Sequence, residues 1–368
     1  MSSTSNPSDT SSDGRNRRVL TGDTPTGRLH LGHWVGSIEN RLRLQEEYEC
    51  YFLLANMHAF TTRAERPTDI RSDTIEIVRD WLAAGIDPER SCVVLQTEVP
   101  AIAELTWFFA MLLPFNRVMR NPTLKTELET KNLGDKYSIG FPLYAVGQCA
   151  DILAFRPEFV PVGEDQVAHI EMCREVARRF DQLYCSVNPH TPDEEYPMVG
   201  GMFPVPKALV GRIGRLVGID GEQKMSKSLG NAIFLSDSPK QVKKKVGQIF
   251  TGRQSMTEKG DTSNALFQYV RTFIADSGRV RELEQRYSAG DNIGDGHVKQ
   301  EVADAINALL EPMRKRRARY EGEKGERMII DIIRKGTARA NEVAEDTLWR
   351  AKQAMQLDYF RRELRARD

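Results

Sequence analysis

Arg18-Val19-Leu20-Thr21-Gly22-Asp23-Thr24-Pro25-Thr26-Gly27-Arg28-Leu29-His30-Leu31-Gly32-His33 is the stretch that decides the fold. Its opening residues, Arg18 to Gly22, read as a short strand. Asp23-Thr24-Pro25-Thr26-Gly27 follows, with Pro and Gly placed to stop a strand and fix a tight bend. From His33 to Glu47 the apolar residues Trp34, Val35, Ile38, Leu42 and Leu44 mark a helix. A strand delivered through a tight turn into a helix is how a parallel α/β unit begins.

The pattern continues outward. Tyr51-Phe52-Leu53-Leu54-Ala55 is an apolar run short enough to be a strand buried on both faces. A helix follows over Asp69 to Ala84, then the turn Gly85-Ile86-Asp87-Pro88, then another buried strand, Cys92-Val93-Val94-Leu95-Gln96. Strand, helix, strand, helix, strand predicts a Rossmann-like parallel sheet. Residues 101 to about 180 read as mainly helical, broken at Asn121-Pro122 and at Val160-Pro161-Val162-Gly163. Residues 188–220 are rich in Pro and Gly and read as a long loop. Beyond Ser236 the composition turns helical and strongly charged. The expected organisation is a disordered extension over 1–17, an α/β catalytic domain over 18–235 and an α-helical C-terminal domain over 236–368.

Composition narrows the classes. Lys+Arg and Asp+Glu are equal at 52 each, so any nucleic-acid surface must be a local cluster. The five cysteines (Cys50, Cys92, Cys149, Cys173, Cys185) fall singly, against a zinc knuckle or a secreted disulfide framework. No run is long and apolar enough to span a bilayer, and the polar N-terminus lacks the apolar core of a secretory signal. A cytoplasmic protein with no membrane partner is expected.

Two motifs carry chemistry. His30-Leu31-Gly32-His33 stands at a strand-to-helix turn, where two imidazoles can donate to phosphate oxygens. There Gly32 lets a flat base approach, and the helix start favours an anion. Lys224-Met225-Ser226-Lys227-Ser228 stands in a loop bounded by Gly221 and Gly230; its lysines can neutralise a triphosphate as pyrophosphate leaves. Each alone reads more readily as surface histidines or a solvated basic loop. Together, one after the first strand and one near the end of the α/β region, they fit a nucleotide site at a strand edge.

These residues resemble class I aminoacyl-tRNA synthetases, whose signatures are a His-Ile-Gly-His-like tetrapeptide and Lys-Met-Ser-Lys-Ser. The second is matched in full; the first has Leu31 in place of Ile. Between them, Ala150-Asp151-Ile152-Leu153-Ala154-Phe155, Val160-Pro161-Val162-Gly163-Glu164-Asp165-Gln166 and His169-Ile170-Glu171 resemble the tryptophanyl-tRNA synthetase family, from about Val19 to the C-terminus. Tryptophan offers a flat apolar body and one N–H donor, so its pocket needs apolar walls and one buried acceptor. Asp151 can be that acceptor, and leaving it unpaired would penalise phenylalanine.

The resemblance implies roles. Asp151 holds the indole N–H. Tyr144, Gln148 and Gln166 meet the α-amino group, Val160 and Val162 line the indole slot, and His58 approaches the same pocket. Pro25, Thr26, Gly27, Gly32, Asp165, Met225, Ser226 and Ser228 belong to the ATP site, with Asp165 facing the ribose. Lys224, Lys227, His30, His33 and Thr24 are the catalytic set. Lys125 is a further candidate lysine. No protein-bound metal is implied; Mg²⁺ arrives with ATP. The implied partners are L-tryptophan, ATP, tRNA(Trp) and a second copy of the chain. The apolar stretch from Ala101 to Arg120, including Leu105, Trp107, Phe108, Met111 and Leu112, suits either that dimer interface or the core.

For RNA, the basic runs Lys243-Lys244-Lys245, Arg314-Lys315-Arg316-Arg317 with Arg319, and the C-terminal Arg361 to Arg367 are candidate phosphate contacts, and Tyr320 and Trp349 candidate base-stacking partners. Three departures from the family pattern stand out, one of them a 188–220 loop longer than in the compact members. Asn56 replaces the Asp common before the His-Ala pair. Gln148 replaces a common Met and is shared with the tyrosine branch. Tyrosyl-tRNA synthetase is therefore the rival enzyme, because Gln148 with Asp151 can serve a hydroxyl; Val160 and Val162 favour an indole. A synthetase-like paralogue with a binding or regulatory role is the rival of another class. The intact lysines of the Lys224 loop speak against it.

Overall fold

The computed structural model describes residues 17–65, 67–130, 134, 136–211, 216–253 and 255–362. Five strands form one parallel sheet: β1 (Arg18–Asp23), β2 (Glu49–Leu54), β3 (Cys92–Leu95), β4 (Phe159–Val162) and β5 (Lys207–Val210). Their spatial order is β3-β2-β1-β4-β5, so the chain winds outward from β1 first one way and then the other. β1 and β2 run in register from Arg18↔Glu49 to Asp23↔Leu54.

The strands are apolar on both faces because each face has its own helical layer. Val19, Phe52, Leu54 and Val93 point to one side, into a core with Trp34, Ile38, Trp81 and Leu235. Leu20, Tyr51, Leu53 and Val94 point to the other, among Phe109, Phe141, Ile170 and Phe180. The alternation along each strand is the period of two expected of a pleated chain.

Two strands were not legible in the sequence. Val160-Pro161-Val162, expected as a break, forms the last three residues of β4, beside β1. Pro161 gives no N–H to a ladder, and the β1–β4 register is confined to Val19↔Phe159. Instead the Thr21 hydroxyl donates to the Pro161 carbonyl at 2.6 Å, tying the strands through a side chain. The expected loop over 188–220 contains β5, a partly exposed edge strand among glycines and prolines. The helix expected from His33 begins at Leu31 and passes through a wider π-type turn at Trp34–Ile38. Of the extension expected over 1–17, only Arg17 lies within the described residues; it pairs with Glu158 at 2.7 Å.

The C-terminal part is helical, from Pro239–Gly247 to the 33-residue helix Gly322–Ala354. That last helix lies along the outer edge of β3. The Thr337 hydroxyl oxygen accepts from Leu95 N at 3.0 Å, and a Cβ on Gly336 would stand 2.4 Å from the Val93 carbonyl oxygen. An otherwise open strand edge is thereby covered. Among the described residues, no helix is long and apolar enough to cross a membrane.

Candidate active site

The two motifs meet at the C-terminal end of β1, the edge where a doubly wound sheet places its ligands. After the second motif, the chain runs antiparallel to the first: Leu31 N donates to Ile233 O at 2.9 Å and Leu235 N to Leu29 O at 3.0 Å. The Lys224 loop is closed by Asn231, whose Oδ1 accepts from Ser226 N at 2.7 Å and whose Nδ2 donates to Asp220 at 2.7 Å. Gly218 packs against that amide so closely that a Cβ would come within 2.2 Å of it.

Lys227 crosses from this loop to the first motif. Its ammonium donates to the Thr26 carbonyl at 2.8 Å, the Thr26 hydroxyl at 2.9 Å and the Gly27 carbonyl at 3.0 Å. Gly27 has φ +96°, and a Cβ there would meet Asp73 at 3.0 Å. The turn needs glycine on both counts. Burial pulls the Lys227 ammonium down to about 8, against the pull of Asp73 and Asp23. Lys224 reaches Asp165 at 3.6 Å across an exposed gap, and the Ser226 and Ser228 hydroxyls lie 3.0 Å apart.

His30 and His33 lie with ring centroids 3.8 Å apart, and His30 N donates to His33 Nδ1 at 3.2 Å. Burial and the neighbouring cations push both imidazoles down, His30 to about 2 and His33 to about 4. Both are therefore neutral at pH 7, each with one N–H to offer. Gly32 gives room to the His30 ring, which a Cβ would meet at 2.9 Å; the Met225 side chain packs behind it in the core. Thr24 and Thr26 are exposed on the turn, while Pro25 is buried, its carbonyl accepting from Arg63. Below them Asp23 is clamped by Arg41 at 2.8 and 3.1 Å and by the Trp81 indole at 2.9 Å. Burial opposes its charge, but Arg41 wins and holds the carboxyl below the usual range.

The second half of the site hangs on the helix Gly140–Leu153. Tyr144, Gln148 and Asp151 stand at i, i+4 and i+7, one face of that helix. Asp151 is 3% exposed. One carboxylate oxygen accepts from Gln96 Nε2 at 2.7 Å, and the other lies 3.5 Å from His58 Nδ1. Burial pushes Asp151 up to about 8 and His58 down to about 4, so near pH 7 the imidazole is neutral and the carboxyl favours its protonated form. Tyr144 lies between His58 and His169, centroids 5.8 and 5.7 Å away. Gln148 donates to Gln166 at 3.5 Å, and Gln166 to Asp165 at 3.2 Å. Val160 is buried at the sheet; Val162 is partly buried at its end. Lys125 is exposed on the helix Pro122–Thr130.

Gln96 is the residue that sequence reading missed. It follows directly on β3, and its Oε1 accepts from Met57 N and His58 N at 3.0 and 3.3 Å while its Nε2 serves Asp151 and lies 3.1 Å from His58 Nε2. A polar residue closing a buried apolar strand was the available signal. A cavity of about 1260 Å³ opens at the other, N-terminal end of the strands, among Arg18, Glu49 and Arg156, and contains none of these residues.

The expected RNA cluster changes its meaning. Arg314 donates to the Asp237 carbonyl at 2.8 Å, Arg316 to Ala83 O at 2.6 Å, and Arg317 pairs with Glu76 and Asp80. Arg316 and Arg317 tie the helix Asp295–Arg317 to the helix Pro67–Ala84, Arg314 ties it to the segment at Asp237, and Lys245 likewise pairs with Asp237 at 2.6 Å. Lys243, Lys244, Lys315 and Arg319 remain exposed. Tyr320 packs partly against the core, and Arg361 lies over the Trp349 ring at 5.9 Å. Of the C-terminal run, residues 363–368 lie outside the described residues.

The comparisons with known proteins agree with this geometry. The family model of class I tRNA synthetases (W and Y) matches residues 12–311. A tryptophan–tRNA ligase of Treponema pallidum is 42% identical over 92% of this chain and 97% of its own. Another, from Clostridium longisporum, is 39% identical over 93% of this chain and 97% of its own. The crystal structure of tryptophanyl-tRNA synthetase from Campylobacter jejuni with ADP and tryptophan superposes with TM-score 0.76 at 28% identity. It covers 92% of this chain and 100% of that one. A site assembled from both class I signatures, on a chain this similar over nearly its whole length, places the protein in the class I tRNA synthetases of the tryptophan and tyrosine branch, among the tryptophan–tRNA ligases.

Proposed function

We propose that this chain activates L-tryptophan with ATP at the edge of β1 and β4 and transfers it to tRNA(Trp). The observation that carries the reading is the bridge from Lys227 to Thr26 and Gly27, which joins the two phosphate-binding motifs into one site. A tryptophan carboxylate oxygen attacks the α-phosphorus in line. The bond to the bridging oxygen breaks, and pyrophosphate leaves with the Mg²⁺ that ATP brought. Lys224 and Lys227 take up the charge on the departing phosphates, and His30 and His33 offer neutral N–H donors to the same oxygens. The tRNA terminal hydroxyl then attacks the carbonyl carbon of the adenylate and AMP leaves. No enzyme nucleophile is required, so positioning and charge neutralisation supply the rate.

Asp151, held by Gln96, is the acceptor for the indole N–H. Tyr144, Gln148 and Gln166 receive the α-amino group, and Val160 and Val162 the flat ring. Residues 18–235 carry this chemistry in the cytoplasm, and the helices of 236–368 receive the tRNA. Trp107, Met111 and Phe115, 65%, 76% and 64% exposed, give a second copy its docking face. Incorporation of labelled tryptophan into acid-precipitable tRNA tests the whole reaction. Pyrophosphate exchange without charging would confine the activity to the first step.

A further inference from the structure

Beneath the ATP turn lies a buried ion network that the reaction does not use directly. Asp80, on the helix Pro67–Ala84, is 0% exposed. One of its carboxylate oxygens accepts the Leu29 backbone N–H at 2.7 Å, one residue before His30. The other takes the guanidinium of Arg317, the last residue of the helix Asp295–Arg317. Arg317 also donates to Glu76 at 2.6 Å and lies 3.1 Å from Glu321. The Leu29 carbonyl is held from the other side by Leu235 N at 3.0 Å. The peptide groups flanking Leu29 are thus fixed by two distant parts of the chain.

We propose that Asp80 and Arg317 are positioning residues for ATP: Arg317 holds the Asp80 carboxylate, and that carboxylate sets the height of the turn that presents His30 to the phosphates. The inference rests on the ATP site described above. A buried carboxylate that loses its cation takes up a proton or moves toward another cation, and either change weakens its hold on the Leu29 N–H. The nucleotide site feels the change. The tryptophan pocket, built on β3, β4 and the helix Gly140–Leu153, does not.

Arg316 provides the control. It spans the same junction, donating to Ala83 O at 2.6 Å and Ala84 O at 3.0 Å, but has no link to Leu29. The test is equilibrium binding of Mg·ATP and, separately, of tryptophan to the full chain and to Arg317→Gln, Arg317→Lys, Asp80→Asn and Arg316→Gln, with melting temperatures. The expected result is a roughly tenfold weaker Kd for ATP in Arg317→Gln and Asp80→Asn, partial recovery in Arg317→Lys, and tryptophan binding within about twofold throughout; one factor of ten is about 1.4 kcal/mol. Arg316→Gln should lower the melting temperature and leave ATP binding intact. Equal weakening of both ligands, the same ATP loss in Arg316→Gln, or no ATP binding by the unaltered chain would overturn the proposal. Binding separates the two ideas: if the ATP pattern holds but the chain exchanges no pyrophosphate, the assigned reaction fails and the positioning role stands.

Discussion

Lys227 Nζ donates to the Thr26 carbonyl at 2.8 Å, joining residues 201 positions apart in the chain. In the proposed reaction this ammonium and this turn serve the same phosphates. On that proposal ATP would exchange the three hydrogen bonds of this ammonium to neutral oxygens for bonds to charged phosphate oxygens.

Replacing this side chain should remove catalysis with little effect on folding. Lys227→Ala is expected to lower tryptophan-dependent pyrophosphate exchange by ~10²–10³-fold, the usual cost of one charge-stabilising group. Because the Lys227 ammonium is pulled down to about 8, kcat/KM for ATP in the unaltered chain should decline as the pH rises through that value. A variant with the same high-pH decline would show that another group titrates.

The proposed indole acceptor, Asp151, also sets a pH dependence of stability. The folded carboxyl keeps its proton up to about 8, whereas an unfolded one releases it near 3.8. Between those values the folded state binds more protons, so stability falls as pH rises across the window. Asp151→Asn removes that slope: it should melt higher at pH 8 by roughly 2–4 °C, a gap closing toward pH 4. Its kcat/KM for tryptophan should fall ~10–100-fold, the cost of losing a hydrogen bond to a buried polar partner, with KM for ATP unchanged. Equal losses for both substrates would contradict the assignment.

Gln96 should act through Asp151 and His58. Gln96→Leu leaves Met57 N, His58 N and Asp151 without their partner, costing about 2 kcal/mol of stability. KM for tryptophan should rise ~10-fold, since a freed carboxyl no longer points one oxygen at the ring nitrogen. A fall in stability with unchanged KM would mark Gln96 as purely structural.

The exposed Trp107 and Met111 make the proposed dimer testable. With Trp107→Glu and Met111→Glu together, sedimentation should shift from two chains to one, since charges in an apolar interface are not compensated. An unchanged sedimentation coefficient would place the contact elsewhere.

What the sequence revealed followed from how local each signal was. β1, β2 and β3 are continuous apolar runs beside obvious turns, and the two phosphate motifs are contiguous, so all could be read directly. β4 was hidden by Pro161, because its tie to β1 runs through the Thr21 hydroxyl. β5 was hidden by the glycines and prolines around it. The basic run at Arg314 to Arg317 read as an RNA surface, yet its partners are carbonyls and carboxylates some 77 to 241 residues away. Gln96 and Asp80 likewise get their meaning only from contacts that the fold creates.

The most direct test of the central claim is amino-acid-dependent ATP–pyrophosphate exchange by the purified chain, with tryptophan, tyrosine and phenylalanine supplied separately. Exchange with tryptophan alone is the predicted result. Exchange driven by tyrosine, or none with any of the three, would contradict the account of the site.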